Sequence, residues 1–572
     1  MDDFIGLAQT IVVASRSRKM LLLSLATQLQ HPLPLSILHD IWQAVRSPEG
    51  VVLAVCLIMV GILSLAGQGH SGKLATGRWA KSRECLASRR LALRQMKARV
   101  HNEIALSIGL PRDGASHHLP DVQRGVVVIG APGSGKTFSI INPLNISALL
   151  QGFPLIVYDF KYPGQGSSLA PLAQHLGYDV HIFAPGYPES DVCNLLDFMQ
   201  GADDAVMARQ LAKVLYRNAQ QSGTSRADDS FFSDAGEQLT VATLALAKTT
   251  PYPDLMMAQA ILRLPGLATR LQRMKHLPLW SRLNFDQLTA VEDSEKTAAS
   301  IIGTAAGYFT RFMAPSLLGA FVGSSTLPLD LTGRQMIIIG MDKERRDVVG
   351  PLAATVLHML ITRNVSQPRY LPLIVSVDEL PTLYLPNLVN WINQHREQGL
   401  ALILGAQNLA QLEKAYDRAT ARAIFGACAT KVMFNPGEPD SAQHFAHYLG
   451  EEEVRYTEIS RNHNGGRTTV NRSQQRRTRN LFEPGQFLKL PTGTAVLISP
   501  GLANRRETAL PRRLNVRVPA TITQMLKVSR ASWQRLRLLL IQRSQQQIPG
   551  ETDLQARIAH AETLLPPVIS EL

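Results

Sequence analysis

The sequence predicts an α/β protein built on a parallel sheet around a phosphate-binding loop, interrupted by an all-helical insertion and preceded by an apolar anchor. Three observations predict it. The octapeptide GAPGSGKT, residues 130–137, follows the apolar run Val126–Ile129 and precedes a helical pattern. From residue 120 strand-like and helix-like segments alternate, as in folds with parallel sheets, and the alternation stops between 200 and 320. Residues 51–67, VVLAVCLIMVGILSLAG, carry no charge at all.

In chain order, residues 1–72 read as a membrane anchor. The stretch 50–69 is just long enough to span a bilayer and lies too far from Met1 to be a signal peptide. A second candidate span, residues 20–38, is also uncharged, but Gln28, Gln30, His31, Pro32 and Pro34 interrupt it; an interfacial helix is the alternative. Residues 70–100 hold nine Lys and Arg against one acid, Glu84, whereas the twenty residues before the span hold only Arg46. That asymmetry places everything after residue 70 in the cytoplasm.

Residues 73–120 form a basic juxtamembrane segment. A nucleotide-binding domain follows in two parts, 121–200 and 321–519, around an all-α domain at 201–320. Its strand candidates are Val126–Ile129, Leu155–Asp159, Val180–Phe183, Met336–Gly340, Leu373–Asp378, Ala401–Leu404, Lys431–Phe434 and Ala495–Ile498. Segments such as DDAVMARQLAKVLY supply the helical insertion. Residues 454–480, polar and basic, read as a loop or irregular hairpin, and 520–572 as a helical tail.

The chemistry starts at the loop. Gly130, Ala131, Pro132, Gly133, Ser134, Gly135, Lys136 and Thr137 complete the spacing G-x-x-x-x-G-K-T in a strand–loop–helix context. The glycines let successive N–H groups face one anion, at a helix N-terminus that adds partial positive charge. Lys136 would reach the β- and γ-phosphates of ATP, and the Thr137 hydroxyl would bind Mg²⁺. Hydrolysis needs a second element, and LPLIVSVDEL supplies Asp378 for the Mg²⁺ shell and Glu379 as general base. In the next strand segment, Gln407 is placed to sense the γ-phosphate, a solvated strand end being the alternative. Arg396 is a candidate arginine finger serving a neighbouring subunit, or an exposed helix-end arginine.

The balance of the chain bounds the partners. Net charge is +14 and the pI near 9.7, which calls for a polyanion, either nucleic acid or an anionic membrane. Cys56, Cys85, Cys193 and Cys428 have no metal or disulfide spacing, so a reducing compartment fits. Residues 454–480 concentrate arginines, including Arg472, Arg476, Arg477 and Arg479, against the single acid Glu458. They suit a phosphate backbone read without sequence specificity; a solvated loop or a lipid contact is the alternative.

The ordered set is more specific than any one motif. TGRWAKSRECL, GAPGSGKT, VYDFKYPG, FFSDAGEQL, PLDLTGRQMIIIGM, VSVDELPTL, REQGLALILGAQNLAQL and LFEPGQFLKLPTGTAVLI span about residues 73–515. Their order resembles the type IV secretion coupling proteins, the membrane-anchored ATPases of bacterial conjugation. The resemblance implies a RecA-like P-loop NTPase domain with an inserted all-α domain, using ATP and Mg²⁺. It further implies a homohexamer in the bacterial inner membrane with its motor in the cytoplasm. The implied partners are single-stranded DNA carrying a relaxase, relaxosome proteins and secretion-channel components. Two other functions share the motor: a nucleotide-controlled receptor for protein effectors, and a membrane-anchored double-stranded DNA translocase. Against the latter, there is no C-terminal winged-helix pattern and no long linker after the anchor. Tyr162 and Pro163 depart from the family, which commonly has Gly directly after the lysine of that motif.

Overall fold

The computed structural model describes residues 75–110, 116–221, 230–274, 282–464, 467–544 and 546–567, so the candidate spans 20–38 and 50–69 lie outside it. Among the described residues no helix is long and apolar enough to cross a membrane. Gly77–Leu572 forms one compact unit. It opens with helix α1 (Ser82–Ala98) and the short hairpin β1 (Leu106–Ile108) and β2 (His117–Leu119).

The sheet behind the site is nine-stranded, in the order β13-β12-β9-β3-β8-β7-β4-β6-β5, with β12 at Thr494–Ile498 and β13 at Pro511–Asn515. Seven strands are parallel: β3 (Val126–Ile129), β4 (Leu155–Asp159), β5 (Asp179–Phe183), β6 (Gln335–Gly340), β7 (Leu373–Val377), β8 (Leu400–Ala406) and β9 (Thr430–Met433). Their largely apolar sequences follow from burial on both faces, with His181 in β5, Ser376 in β7 and Lys431 in β9 among the polar exceptions. Alternation along each strand divides the side chains between two cores. Val127, Ile129, Ile156 and Val375 enter one, while Val126, Val128, Leu155 and Ile374 enter the other.

Helices α2 (Asn142–Gln151) and α3 (Gly166–His175) cover the second core's face. Between β5 and β6 come α4 (Ala205–Gln221), α5 (Ser230–Lys248), α6 (Leu255–Leu262) and α7 (Glu295–Thr310), joined by shorter helical turns. Asp254 starts α6 by accepting the Met257 N–H, a standard cap for the orphan donors of a first turn. Leu211, Leu244, Met257 and Ile301 from these helices join the same core as Val127 and Ile129. The insertion is therefore packed onto one face of the sheet, with α8 (Arg346–Asn364) beside α4.

Two differences from the sequence expectation stand out. Residues 451–480 form a regular antiparallel ladder, β10 (Glu451–Asn464) against β11 (Arg467–Asn480), fourteen residues each. Thr457, Ile459, Thr468 and Val470 supply strand propensity there, but the density of arginines masked their period of two. After β12 (Thr494–Ile498), β13 (Pro511–Asn515) closes the sheet as an antiparallel edge strand that the adjacent Arg512 and Arg513 had hidden. Two helices follow, α9 (Ala520–Arg543) and α10 (Glu551–Leu564), with α9 lying along α3.

Candidate nucleotide site

β3 lies mid-sheet between β8 and β9, and the chain leaves it at the carboxyl edge, where open α/β sheets place their ligands. Gly133 and Gly135 take φ of 78° and 98°, left-handed values that only glycine adopts without cost. The loop is braced from behind. Thr492 donates its hydroxyl to the Gly133 carbonyl at 3.1 Å, and the Gly493 N–H bonds the Ser134 carbonyl at 2.9 Å. The helix then opens with a wide turn, Thr137–Ile141, in which Asn142 N–H reaches the Thr137 carbonyl; such π-type turns gather at functional sites.

Asp378 and Glu379 leave the carboxyl end of β7, the neighbour of β8. Lys136 Nζ lies 3.0 Å from Glu379 Oε1, and Gln407 Nε2 donates to Glu379 Oε2 at 3.2 Å. The Thr137 hydroxyl donates to Asp378 Oδ2. Glu379 holds φ of 68°, a strained value for a side-chain-bearing residue that persists only where its surroundings fix it. Burial raises the Asp378 carboxyl above its ordinary range, with the Lys136 charge opposing that shift. Asp378 Oδ1 is buried without a hydrogen-bond partner among the described residues. A hydroxyl beside a carboxylate with an unused oxygen is a hard-oxygen set, so these residues fit Mg²⁺.

Lys136, Thr137, Asp378, Glu379 and Gln407 thus meet as one cluster. Arg396 does not join it. It is exposed in the turn before Leu400, at the amino end of β8. The length of that strand puts it roughly 20 Å from the carboxyl edge. Sequence reasoning missed Arg346, which lines a cleft of about 530 Å³ together with Glu379, Gln407 and Thr382. Its guanidinium stands 5.8 Å from the centre of the Phe160 ring. The available signal was its place just past the carboxyl end of β6, in the run DKERRD.

The neighbouring motif VYDFKYPG has a mainly structural core. Asp159 accepts the Gly166 N–H at 2.8 Å and the Lys161 N–H at 3.2 Å, closing its own loop. Burial pushes its carboxyl up to about 6, against those two N–H bonds. In the basic hairpin the arginines are not all alike. Arg479 pairs with Glu452 at 2.8 Å, Arg476 lies 3.6 Å from Glu453, and Arg477 sits over the Tyr456 ring at 5.0 Å.

Residues 372–492, which hold Asp378, Glu379, Arg396, Gln407 and the hairpin, match the family described as the TraM recognition site of TraD and TraG. Coupling protein TraD of Escherichia coli (strain K12) is 36% identical over 77 residues, a stretch covering 13% of this chain and 11% of TraD. The bacterial conjugative coupling protein TrwB, in its unbound form, matches with a TM-score of 0.55 at 16% identity, over 79% of this chain and 95% of TrwB. The resemblance is to the conjugative coupling proteins. TrwB in complex with ADP and Mg²⁺ matches with a TM-score of 0.53 at 16% identity, over 79% of this chain and 96% of TrwB. What the chain has in common with TrwB is the fold, an α/β NTPase sheet of RecA type carrying a helical domain. The sequence match to TraD spans about a ninth of that relative's length.

Proposed function

We propose that this chain is a membrane-anchored, hexameric coupling ATPase that recruits single-stranded DNA with its attached relaxase and drives it into a type IV secretion channel. The observation that carries hydrolysis is the Glu379 carboxylate fixed between Lys136 and Gln407 at the mouth of the phosphate loop. A site that only holds nucleotide needs no base there. In this reading the N–H groups of Gly133, Gly135, Lys136 and Thr137 cradle the phosphates, and Lys136 turns from Glu379 to the β- and γ-oxygens. The released Glu379 takes the proton of the attacking water, and Gln407 keeps its carboxylate oriented. Thr137 and Asp378 would hold Mg²⁺, which supplies neutralisation of the developing phosphate charge. Arg396, remote from its own loop, would serve the site of the next subunit.

The distal half of the hairpin supports DNA as the cargo. There the ladder sets Arg472 opposite Ile459, Arg461 opposite Val470 and Arg467 opposite Asn464, with no acid among those pairs. The proximal half favours a second reading, a receptor for protein substrates, because Glu452 and Glu453 already engage Arg479 and Arg476. ATP turnover by the full chain, with and without single-stranded DNA, tests both. DNA stimulation that disappears in Lys136→Ala supports the translocase. Turnover indifferent to DNA favours the receptor, and no turnover under any condition removes the motor reading.

A further inference from the structure

Away from the nucleotide site, two adjoining cavities lie between α1 and the edge strand β13, sharing Cys85, Leu86 and Arg512. The inner one, about 190 Å³, is polar and basic, with Arg89, Arg512, Ser88, His117 and His118 on its walls. The outer one, about 530 Å³, adds Trp79, Ala80, Ser82 and Arg513 to the shared residues. Neither is absorbed by the ATPase chemistry. By register, Arg512 faces Leu497 on β12, toward the end of the sheet away from the phosphate loop.

His118 marks the inner cavity as a ligand site. It is only 7% exposed, and at most one of its two ring nitrogens has a partner among the described residues, the Ser116 backbone. Burying the other nitrogen unpaired carries a cost that a bound acceptor or donor removes. Its neighbours specify an anion. Arg89 and Arg512 have no ion-pair partner among the described residues, and no carboxylate lines the cavity. Burial, together with the nearby Arg512 charge, holds His117 down to about 4, and burial with Arg89 lowers His118. Two guanidinium forks and a neutral imidazole N–H form a donor set suited to phosphate oxygens.

The surroundings specify an amphiphile. The outer cavity, where Trp79, Ala80 and Leu86 stand beside Arg513, continues the basic inner one, as a headgroup followed by its glycerol and first methylenes requires. The exposed side of α1 carries Lys81, Arg83, Arg90, Arg94 and Lys97 with Leu86 and Leu93 among them, the pattern of a helix at an anionic membrane surface. Nine residues, and so ten Cα–Cα steps, separate residue 69, where the span read from the sequence ends, from Trp79. Extended chain of that length covers at most about 36 Å.

We propose that this two-part pocket binds an anionic phospholipid, its phosphate between Arg89, Arg512 and His118 and its glycerol along Trp79 and Leu86. Cys85, part of both cavities, gives a direct reporter, while Cys193 and Cys428 are fully buried and serve as unreactive references. The full chain is placed in nanodiscs of phosphatidylcholine, alone or mixed with phosphatidylglycerol. Alkylation of Cys85 by N-ethylmaleimide is then followed by peptide mass spectrometry. Phosphatidylglycerol should slow it about fivefold, the protection expected when a ligand stands near four times its dissociation constant. Arg89→Gln with Arg512→Gln should abolish the slowing. Arg83→Gln with Arg90→Gln removes the same charge from the exposed face outside the pocket and should preserve it. Equal rates in both discs would overturn the proposal, as would slowing that survives in the Arg89/Arg512 variant. Slowing by inorganic phosphate or an oligonucleotide, with none from the lipid, would overturn the lipid assignment.

Discussion

Replacing Glu379 by Gln separates binding from chemistry at this site. The Lys136 and Glu379 side chains are 7% and 14% exposed and 3.0 Å apart, so incoming phosphate and the carboxylate compete for one ammonium. Glutamine is isosteric and still accepts from Lys136 through its amide oxygen, but it has no charge and cannot take a proton. Losing the base should slow hydrolysis by about 10²–10⁴-fold. Freeing Lys136 from its buried carboxylate leaves its charge for the incoming phosphates, so ATP binding should be retained or tightened. Thr137 and Asp378 keep their contact, so Mg²⁺ dependence should be unchanged. Lys136→Ala gives the opposite pattern, with loss of turnover and weakened binding together. The assay is single-turnover hydrolysis beside calorimetric titration with ATP and Mg²⁺. A Glu379→Gln chain that hydrolyses ATP at the parent rate, or binds it tenfold more weakly, refutes the assignment.

Three further outcomes follow from other parts of the molecule. Changing Arg461, Arg467 and Arg472 to Gln should flatten the salt dependence of single-stranded DNA binding by about 2 in log–log slope, at ~0.7 per phosphate contact. Changing Arg476 and Arg479, which engage Glu453 and Glu452, should flatten it less; equal effects would count against the distal half as the DNA contact. His358, 1% exposed against Trp391, is held down to about 3 by burial, so the unfolded chain binds a proton there that the folded chain refuses. Stability should therefore fall as pH drops below about 6.5, by roughly 2 kcal/mol between pH 7 and 5 from this residue. Urea midpoints of His358→Phe should lack that component, and an unchanged pH profile would refute it. Arg396→Ala and Lys136→Ala subunits, each inactive alone, should regain measurable ATP turnover when mixed in one ring, because some boundaries then pair a sound loop with a sound finger; mixed rings that form and stay inactive would exclude the trans role.

The cluster at the phosphate loop was legible because its determinants are local. Strand, glycine spacing and helix start lie within twelve residues, Val126–Thr137, and a DE pair after an apolar run marks the neighbouring strand. Parallel strands buried on both faces write themselves as largely apolar runs, so the sheet's seven parallel members were found to within a few residues at each end. Arg346 was not legible, because its role depends on β6 and β7 flanking β4 and on α8 starting beside Glu379, a long-range arrangement. The β10–β11 ladder was missed for the opposite reason. Its strands pair only with each other, and their sequences are polar and basic, so they lack the apolar signature that identifies core strands.

Tyr162 shows how a departure from the family pattern can be read only with the whole fold in hand. A tyrosine where a glycine is common should disturb a loop next to the nucleotide site, yet it is 6% exposed and well accommodated. Its ring meets Tyr187 and Trp533 edge-on, at 4.9 Å and 6.3 Å between centres. Its hydroxyl donates to Glu189 Oε1 at 2.9 Å, and Arg537 Nε donates to the same oxygen at 3.0 Å. Space for the ring comes from the end of β6, where a Cβ on Gly340 would fall 2.7 Å from Tyr162 Cγ. Trp533 and Arg537 both belong to α9, four residues apart and so on one face of that helix. Tyr162, Gly340 and the tail helix are therefore one packing unit. Replacing the tyrosine by the commoner glycine would leave a cavity under Trp533 and remove one of the two donors to a buried carboxylate. The loop that carries Asp159 is consequently anchored to α9, which is a structural element of the domain that holds the phosphate loop.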